Sequence, residues 1–195
     1  FLRDISQVFS FRVNTFGNTP AGVLWKNSEG QQLRFEVLIC LLVDQKPFAP
    51  ISINDFGCGY GAMFNFLLNI PSMAGMSYFG YDISREMINT AKQHNRDGRA
   101  NFSVSSIIEA PADYTFVSGT FNLNLDVDDG VWSTYVKSTL NQLWSMSNKG
   151  LAFNMLDISH PDQETGLYYA NAREYLDFCR TLSTKVTLID NYHLD

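Results

Sequence analysis

Apolar positions along the chain follow two rhythms, short continuous runs and stretches spaced by three and four, and the two alternate. The continuous runs at Ile51 to Asp55, Met76 to Asp82, Asn101 to Ser105, Tyr114 to Ser118, Leu151 to Leu156 and Lys185 to Asp190 predict strands. Between them lie amphipathic segments. From about Gly130 to Ser147, Trp132, Val136, Leu140, Leu143 and Trp144 recur at helical spacing, and Gly150 is placed to stop the helix. Ser28 and Gln31 have the capping-box spacing and open a helix carrying Leu33, Val37, Leu38, Leu41 and Leu42 on one face. Lys46-Pro47 and Pro50 should end it. Ser84 is a good cap for a helix to Asn95, and Asn171 with Glu174 forms a second capping box before Ala172, Tyr175, Leu176 and Cys179. Phe1 to Phe16 reads as a short helix broken by Asn14-Thr15-Phe16-Gly17-Asn18-Thr19-Pro20. Strands alternating with helices need crossover connections. The expected architecture is therefore α/β, a doubly wound, mostly parallel sheet with helices on both faces. Such sheets bind ligands at the carboxyl ends of the strands, where the strand order reverses.

A length of 195 residues predicts one domain, 1–195, with a helical lead-in over 1–48 and a ligand-binding core over 49–195. A 45% hydrophobic share with 15 Phe, 9 Tyr and 3 Trp excludes a disordered chain. The net charge of −6 argues against nucleic acid and against an anionic membrane surface, both of which need clustered Lys and Arg. No apolar run approaches the ~18 residues of a membrane span. Cys40, Cys58 and Cys179 form neither a disulfide framework nor a metal pair, which points to a reducing compartment such as the cytoplasm. His94, His160 and His193 are equally scattered, so no metal centre is expected.

The most informative stretch is Asp55-Phe56-Gly57-Cys58-Gly59-Tyr60-Gly61. Glycines spaced by two after a strand permit positive φ and close approach of backbone to a ligand, and the following helix presents free N–H groups. A tight turn uses the same residues, but the position between strand and helix is the one that ligand binding requires. Two cofactor classes remain open. Gly57, Gly59 and Ala62 satisfy the dinucleotide fingerprint, which would make the chain an NAD(P)-dependent oxidoreductase. A pyrophosphate does not explain Asp55, two residues before the first glycine; a ligand bearing an ammonium group does. Asp82, ending the second strand, is placed to accept hydrogen bonds from two ribose hydroxyls in either case.

Asp55-Phe56-Gly57-Cys58-Gly59-Tyr60-Gly61, with Asp82-Ile83-Ser84 leading into a helix containing Met87 and Ala91, resembles the class I S-adenosylmethionine-dependent methyltransferases. The resemblance runs from about Ile51 to the C-terminus and implies a Rossmann-like fold, S-adenosyl-L-methionine as cofactor, and methyl transfer to a small-molecule acceptor. Carried over, Gly57, Gly59 and Gly61 wrap the methionine part, with Asp55 and Cys58 beside it. Asp82 and Ile83 meet the ribose end, Ser106 and Ile107 match the adenine position, and Ser118 flanks the methionine moiety. Ser106 stands where an acid or amide is commoner. Trp25, Gln31, Gln32, Arg34 and Phe35 resemble the lead-in of some bacterial members. The family's last, antiparallel strand follows a hairpin that would turn at Asn191 to Asp195, so that strand is expected to be missing here. A non-catalytic, cofactor-binding homologue is a further alternative.

No catalytic residue emerges from the pattern. His160, after the fifth strand, could act as a general base but is more simply an exposed loop residue. Asp126, Asp128 and Asp129 suit a helix-capping turn better than a metal. Tyr168 and Tyr169 either line an acceptor pocket or pack beneath the next helix. The Asn/Asp-Pro-Pro-aromatic signature of amino-group methylation, the Pro-Cys nucleophile of cytosine methylation and a Tyr-x-x-x-Lys pair are all absent.

Overall fold

The computed structural model describes residues 1–42, 45, 46, 48–190 and 192. Helix α1 (Leu2–Phe16) and α2 (Ser28–Leu38) precede the sheet, joined by a short 3-10 turn at Pro20–Val23. There follow β1 (Ile51–Phe56), α3 (Ala62–Leu68), β2 (Met76–Asp82), α4 (Arg85–His94), β3 (Ala100–Val104) and β4 (Ala112–Ser118). Next come α5 (Asp129–Ser145), β5 (Ser147–Asn154), β6 (Leu156–Asp157), β7 (Tyr169–Ala170) and α6 (Ala172–Leu182). β1 to β5 form one parallel sheet in the order β3-β2-β1-β4-β5, and β6 pairs β7 in a separate two-residue ladder.

The two faces of the sheet bury two cores. On one, Ile53, Tyr78 and Phe116 pack under Phe35 and Leu38 of α2, Phe64 and Leu67 of α3, and Ile88 and Ala91 of α4. On the other, Phe56 and Val117 meet Trp132, Val136, Leu140 and Leu143 of α5, with Tyr175 of α6 and Ile5 of α1. Each of these large side chains stabilises the fold by about 1.5–3 kcal/mol through removal from water. The doubly wound arrangement expected from the alternation is the one observed.

Local corrections follow from hydrogen bonding. The cap of α2 is Asn27, whose side chain accepts from the Gly30 N–H at 2.7 Å, while Ser28 donates to Glu29. Ser84 and Asn171 cap α4 and α6 as expected. Gly150 does not end α5; it lies inside β5, which starts earlier, at Ser147, and its bare face receives Leu41. Lys185 to Asp190 is not a strand. Among the described residues it has no ladder partner, and Leu188 and Ile189 stay exposed, so its β-branched composition gains nothing from extending in register. Among the described residues no antiparallel strand joins the sheet, and most of the expected hairpin at Asn191 to Asp195 lies outside them, as does the Pro47 stop.

Candidate functional site

The strand order reverses between β1 and β4, so their carboxyl ends diverge and leave a crevice. Its floor is the glycine loop after β1. Gly57 has φ +77, and a Cβ there would lie 2.2 Å from Thr120 Oγ1, which itself donates to the Phe56 carbonyl at 2.8 Å. Only glycine admits both the left-handed backbone and that contact. The loop is held from β2. The Gly57 and Cys58 N–H groups donate to the Tyr81 carbonyl at 2.8 and 3.0 Å, and Gly59 N–H donates to Asp82 Oδ2 at 2.9 Å. The Ser84 N–H donates to Asp82 Oδ1 at 2.7 Å.

Two carboxylates are thus buried in one place. Burial pushes Asp82 up to about 6, against the amides of Ser84, Gly59 and Ile83, which favour its ionised form. Burial pushes Asp55 up to about 7; the hydroxyl of Tyr78, donating to Asp55 Oδ2, pulls the other way, and the charge of Asp82 adds to the rise. The Cys58 thiol is raised well above its ordinary value, first by burial and then by these two acids, so it is an inert filler and not a nucleophile.

The cleft above this floor encloses about 920 Å³ including its open mouth. The lead-in supplies its roof. Leu2, Ile5 and Phe9 of α1, then Val23 and Trp25, then Gln31 and Phe35 of α2 line it, with Val23 against Gly59. Helix α1 is tied to the β2 side: Ser6 Oγ donates to the Ile83 carbonyl at 3.0 Å, and Ser10 Oγ bonds Ser84 Oγ at 2.9 Å and Glu86 at 2.6 Å. Trp25 covers Gly119, where a Cβ would come within 2.4 Å of its ring, and the Arg34 guanidinium lies 4.1 Å above the indole. Trp132 and Tyr135 close the α5 side, with Trp132 Nε1 donating to the Phe121 carbonyl at 2.9 Å.

Asp55, Gly57, Cys58, Gly59, Asp82, Ile83 and Ser118 all border this cleft. Gly61 does not; it is the left-handed cap of α3, pressed against Asn95 and Phe102. Ser106 and Ile107 are exposed away from the cleft, and Ser105 lines it instead. The shift by one has a local cause. Ser105 N–H donates to the Asp82 carbonyl at 3.0 Å, and Ser105 Oγ closes a turn by bonding the backbone of Ile107. Tyr78 and most of the roof carry no spacing signal in the sequence.

The other candidates lie elsewhere. His160 is exposed, with Nδ1 bound to the backbone of Asp162. Tyr168 is buried and bonds Tyr175 through the hydroxyls at 3.2 Å, while Tyr169 accepts from the Glu164 N–H. Asp128 caps α5 through Gly130 and Val131, and Asp129 accepts from Asn124. Among the described residues no three His, Cys, Asp or Glu gather as a metal cluster.

Residues 54–136 match the family model described as "Methyltransferase domain". The chain is 38% identical over 153 residues to Putative methyltransferase Rv1506c of Mycobacterium tuberculosis, covering 74% of this chain and 89% of that protein. The fold is shared with magnesium protoporphyrin IX methyltransferase from Synechocystis PCC 6803 with bound SAH, at TM-score 0.61 and 15% identity over 79% of this chain and 73% of that one. It is shared too with the 4+2 cyclase SpnF, at TM-score 0.64 and 16% identity over 91% of this chain and 71% of that one.

Proposed function

Since the chain belongs to the class I S-adenosylmethionine-dependent methyltransferases, we propose that its cleft sets the donor beside a small, uncharged, largely apolar acceptor and transfers the methyl group to it. The observation that carries the reading is the pairing of the left-handed Gly57–Gly59 cradle with two buried carboxylates at the strand-order switch. The cradle fits the donor. Gly57 and Gly59 let the loop run close beneath Thr120 and Val23, and Ser118 Oγ is buried with no hydrogen-bond partner among the described residues at the same end of the sheet. A carboxylate offers about four lone-pair sites, and the Gly59 and Ser84 amides take one on each oxygen of Asp82, which leaves acceptor capacity for a ribose hydroxyl.

When bound, S-adenosylmethionine supplies an electrophilic methyl on its sulfonium. The chain's residues hold and shield. Gly59 and Ser84 orient Asp82 toward the ribose, Asp55 faces the ammonium of the methionine part, and Ile83 and Ser105 border the adenine end. Leu2, Ile5, Phe9 and Trp132 keep water from the acceptor side. Asp55 and Asp82 are the charged side chains lining the cleft, and both serve the donor. A charged acceptor would lie there unpaired, at a cost of several kcal/mol. Fixing two reactants in line contributes on the order of 7–11 kcal/mol, so an acceptor already nucleophilic needs no general base from the protein. In this reading residues 1–48 are the roof and 49–195 the donor-binding core of one domain. The three free cysteines and the net charge of −6 support a cytoplasmic enzyme that does not act on nucleic acid.

Calorimetry with S-adenosylhomocysteine tests the donor site. Binding is expected, and Asp82→Ala should weaken it roughly 10- to 100-fold, the value of charge-assisted hydrogen bonds at about 1.5–3 kcal/mol. No binding to the wild-type chain would dismiss the donor assignment. Preferred transfer to anionic acceptors in a mixed panel would dismiss the acceptor class.

A further inference from the structure

Asp55 sits opposite Gly80 in the β1–β2 register, with Tyr78 the diagonal neighbour two residues back on the same face. Gly80 has no side chain to intervene, because Phe102 and Cys58 Sγ already fill the space within 2.7 and 2.9 Å of where its Cβ would be. The Tyr78 hydroxyl therefore reaches Asp55 Oδ2 inside the core while the same carboxyl borders the cleft. Tyr78 is wholly buried, its ring packed against Phe64 and Phe102 at centroid distances of 5.1 and 5.8 Å, and this packing holds the hydroxyl beside Asp55 and the Phe64 backbone.

We propose that Tyr78 is a positioning residue for donor recognition: its hydroxyl fixes the Asp55 carboxylate as an ionised acceptor facing the ammonium of the methionine moiety. This role rests on the donor assignment above. The titratable groups around Asp55 are Tyr78 on β2, Cys58 on the glycine loop and Asp82 at the end of β2, and none of them is a cation. The hydroxyl is thus the group that favours the charged form, against burial and against Asp82. Without it Asp55 takes a proton at higher pH, and a ligand bearing an ammonium must displace that proton to bind.

The test compares two ligands that share adenosine and sulfur. S-adenosylhomocysteine carries the ammonium; 5′-methylthioadenosine does not. Their affinities are measured by calorimetry between pH 6 and 9 for the full chain and for Tyr78→Phe. With Asp55 near 7, a rise of one pK unit should weaken S-adenosylhomocysteine binding to the variant about fivefold at pH 7 and approach tenfold at pH 6, with the acidic limb of its affinity profile moved upward. Methylthioadenosine binding should match the wild type at every pH. Equal loss of both ligands would mean a structural role only and would overturn the proposal, as would an unmoved limb. If Tyr78→Phe does not fold, 3-fluorotyrosine placed at position 78 gives a more acidic, stronger donor and must move the limb downward; an unmoved or raised limb overturns the role. Failure of the wild type to bind either ligand would overturn the donor assignment, and this role with it.

Discussion

Gly57 and Thr120 interlock so tightly that the loop has one solution. A methyl at Gly57 meets Thr120 Oγ1 at 2.2 Å and also forces a left-handed backbone on an L residue, so Gly57→Ala should cost about 1–3 kcal/mol and abolish S-adenosylhomocysteine binding. Gly98→Ala has open space around it and should stay within about 0.5 kcal/mol of wild type. Chemical denaturation and calorimetry on the pair distinguish a loop defect from a general penalty for replacing glycine. At this scale much of the cleft's lining was legible. Asp55, Gly57, Gly59 and Asp82 lie on short local spacings and border the cleft together. Tyr78 was not legible, because its contact with Asp55 depends on which strands are neighbours and in what register. That Ser105 and not Ser106 lines the cleft was not legible either, because the Ser105 turn cannot be seen in composition.

Among elements, the helices read most clearly, since their caps and periodic faces are local properties. Asn171 and Ser84 accept the same kind of hydrogen bond from the first turn, yet they differ in what else they touch. Asn171→Ala should cost about 1 kcal/mol in thermal or chemical unfolding and leave donor affinity unchanged. Ser84→Ala should cost a similar amount and also weaken donor binding, because Ser84 Oγ anchors Ser10 of α1 beside the loop that carries Asp82. Equal donor affinity in the two variants would separate α1 from the site. The element that misled is Lys185 to Asp190: strand propensity is a statement about fitting a pleated neighbour, and the described residues offer none there. Gly150 misled in the opposite sense. It looked like a helix stop and is a landing place for Leu41 on β5.

For the molecule as a whole, the buried acids set an unusual dependence on pH. Asp55 and Asp82 bind protons more tightly folded than at their ordinary value of 3.8, being raised to about 7 and about 6. The native state therefore holds more protons than the unfolded chain between those limits, and stability falls as pH rises through the window. The opposing groups act lower. Asp97, held at about 2 by Arg99, and Glu86 and Glu174, lowered by Ser10 and Lys137, lose their contribution only as pH drops below the ordinary carboxylate range. The stability of the ligand-free chain, followed through its melting temperature, should thus fall between pH 5 and 7, at up to ~1.4 kcal/mol per unit for each acid until its own value is passed, and Asp55→Asn should flatten the slope. A melting temperature that rises over this range would contradict the burial of both acids.

The roof from Leu2 to Trp25 carries a consequence in time. It is fastened to Ile83, Ser84 and Glu86 by serine hydroxyls and lies on the very glycines that the donor must reach. If the donor passes beneath this roof, loosening it should hasten exchange: Ser10→Ala should raise the dissociation rate of S-adenosylhomocysteine in stopped-flow, and an unchanged rate would place the path through the open mouth of the cleft.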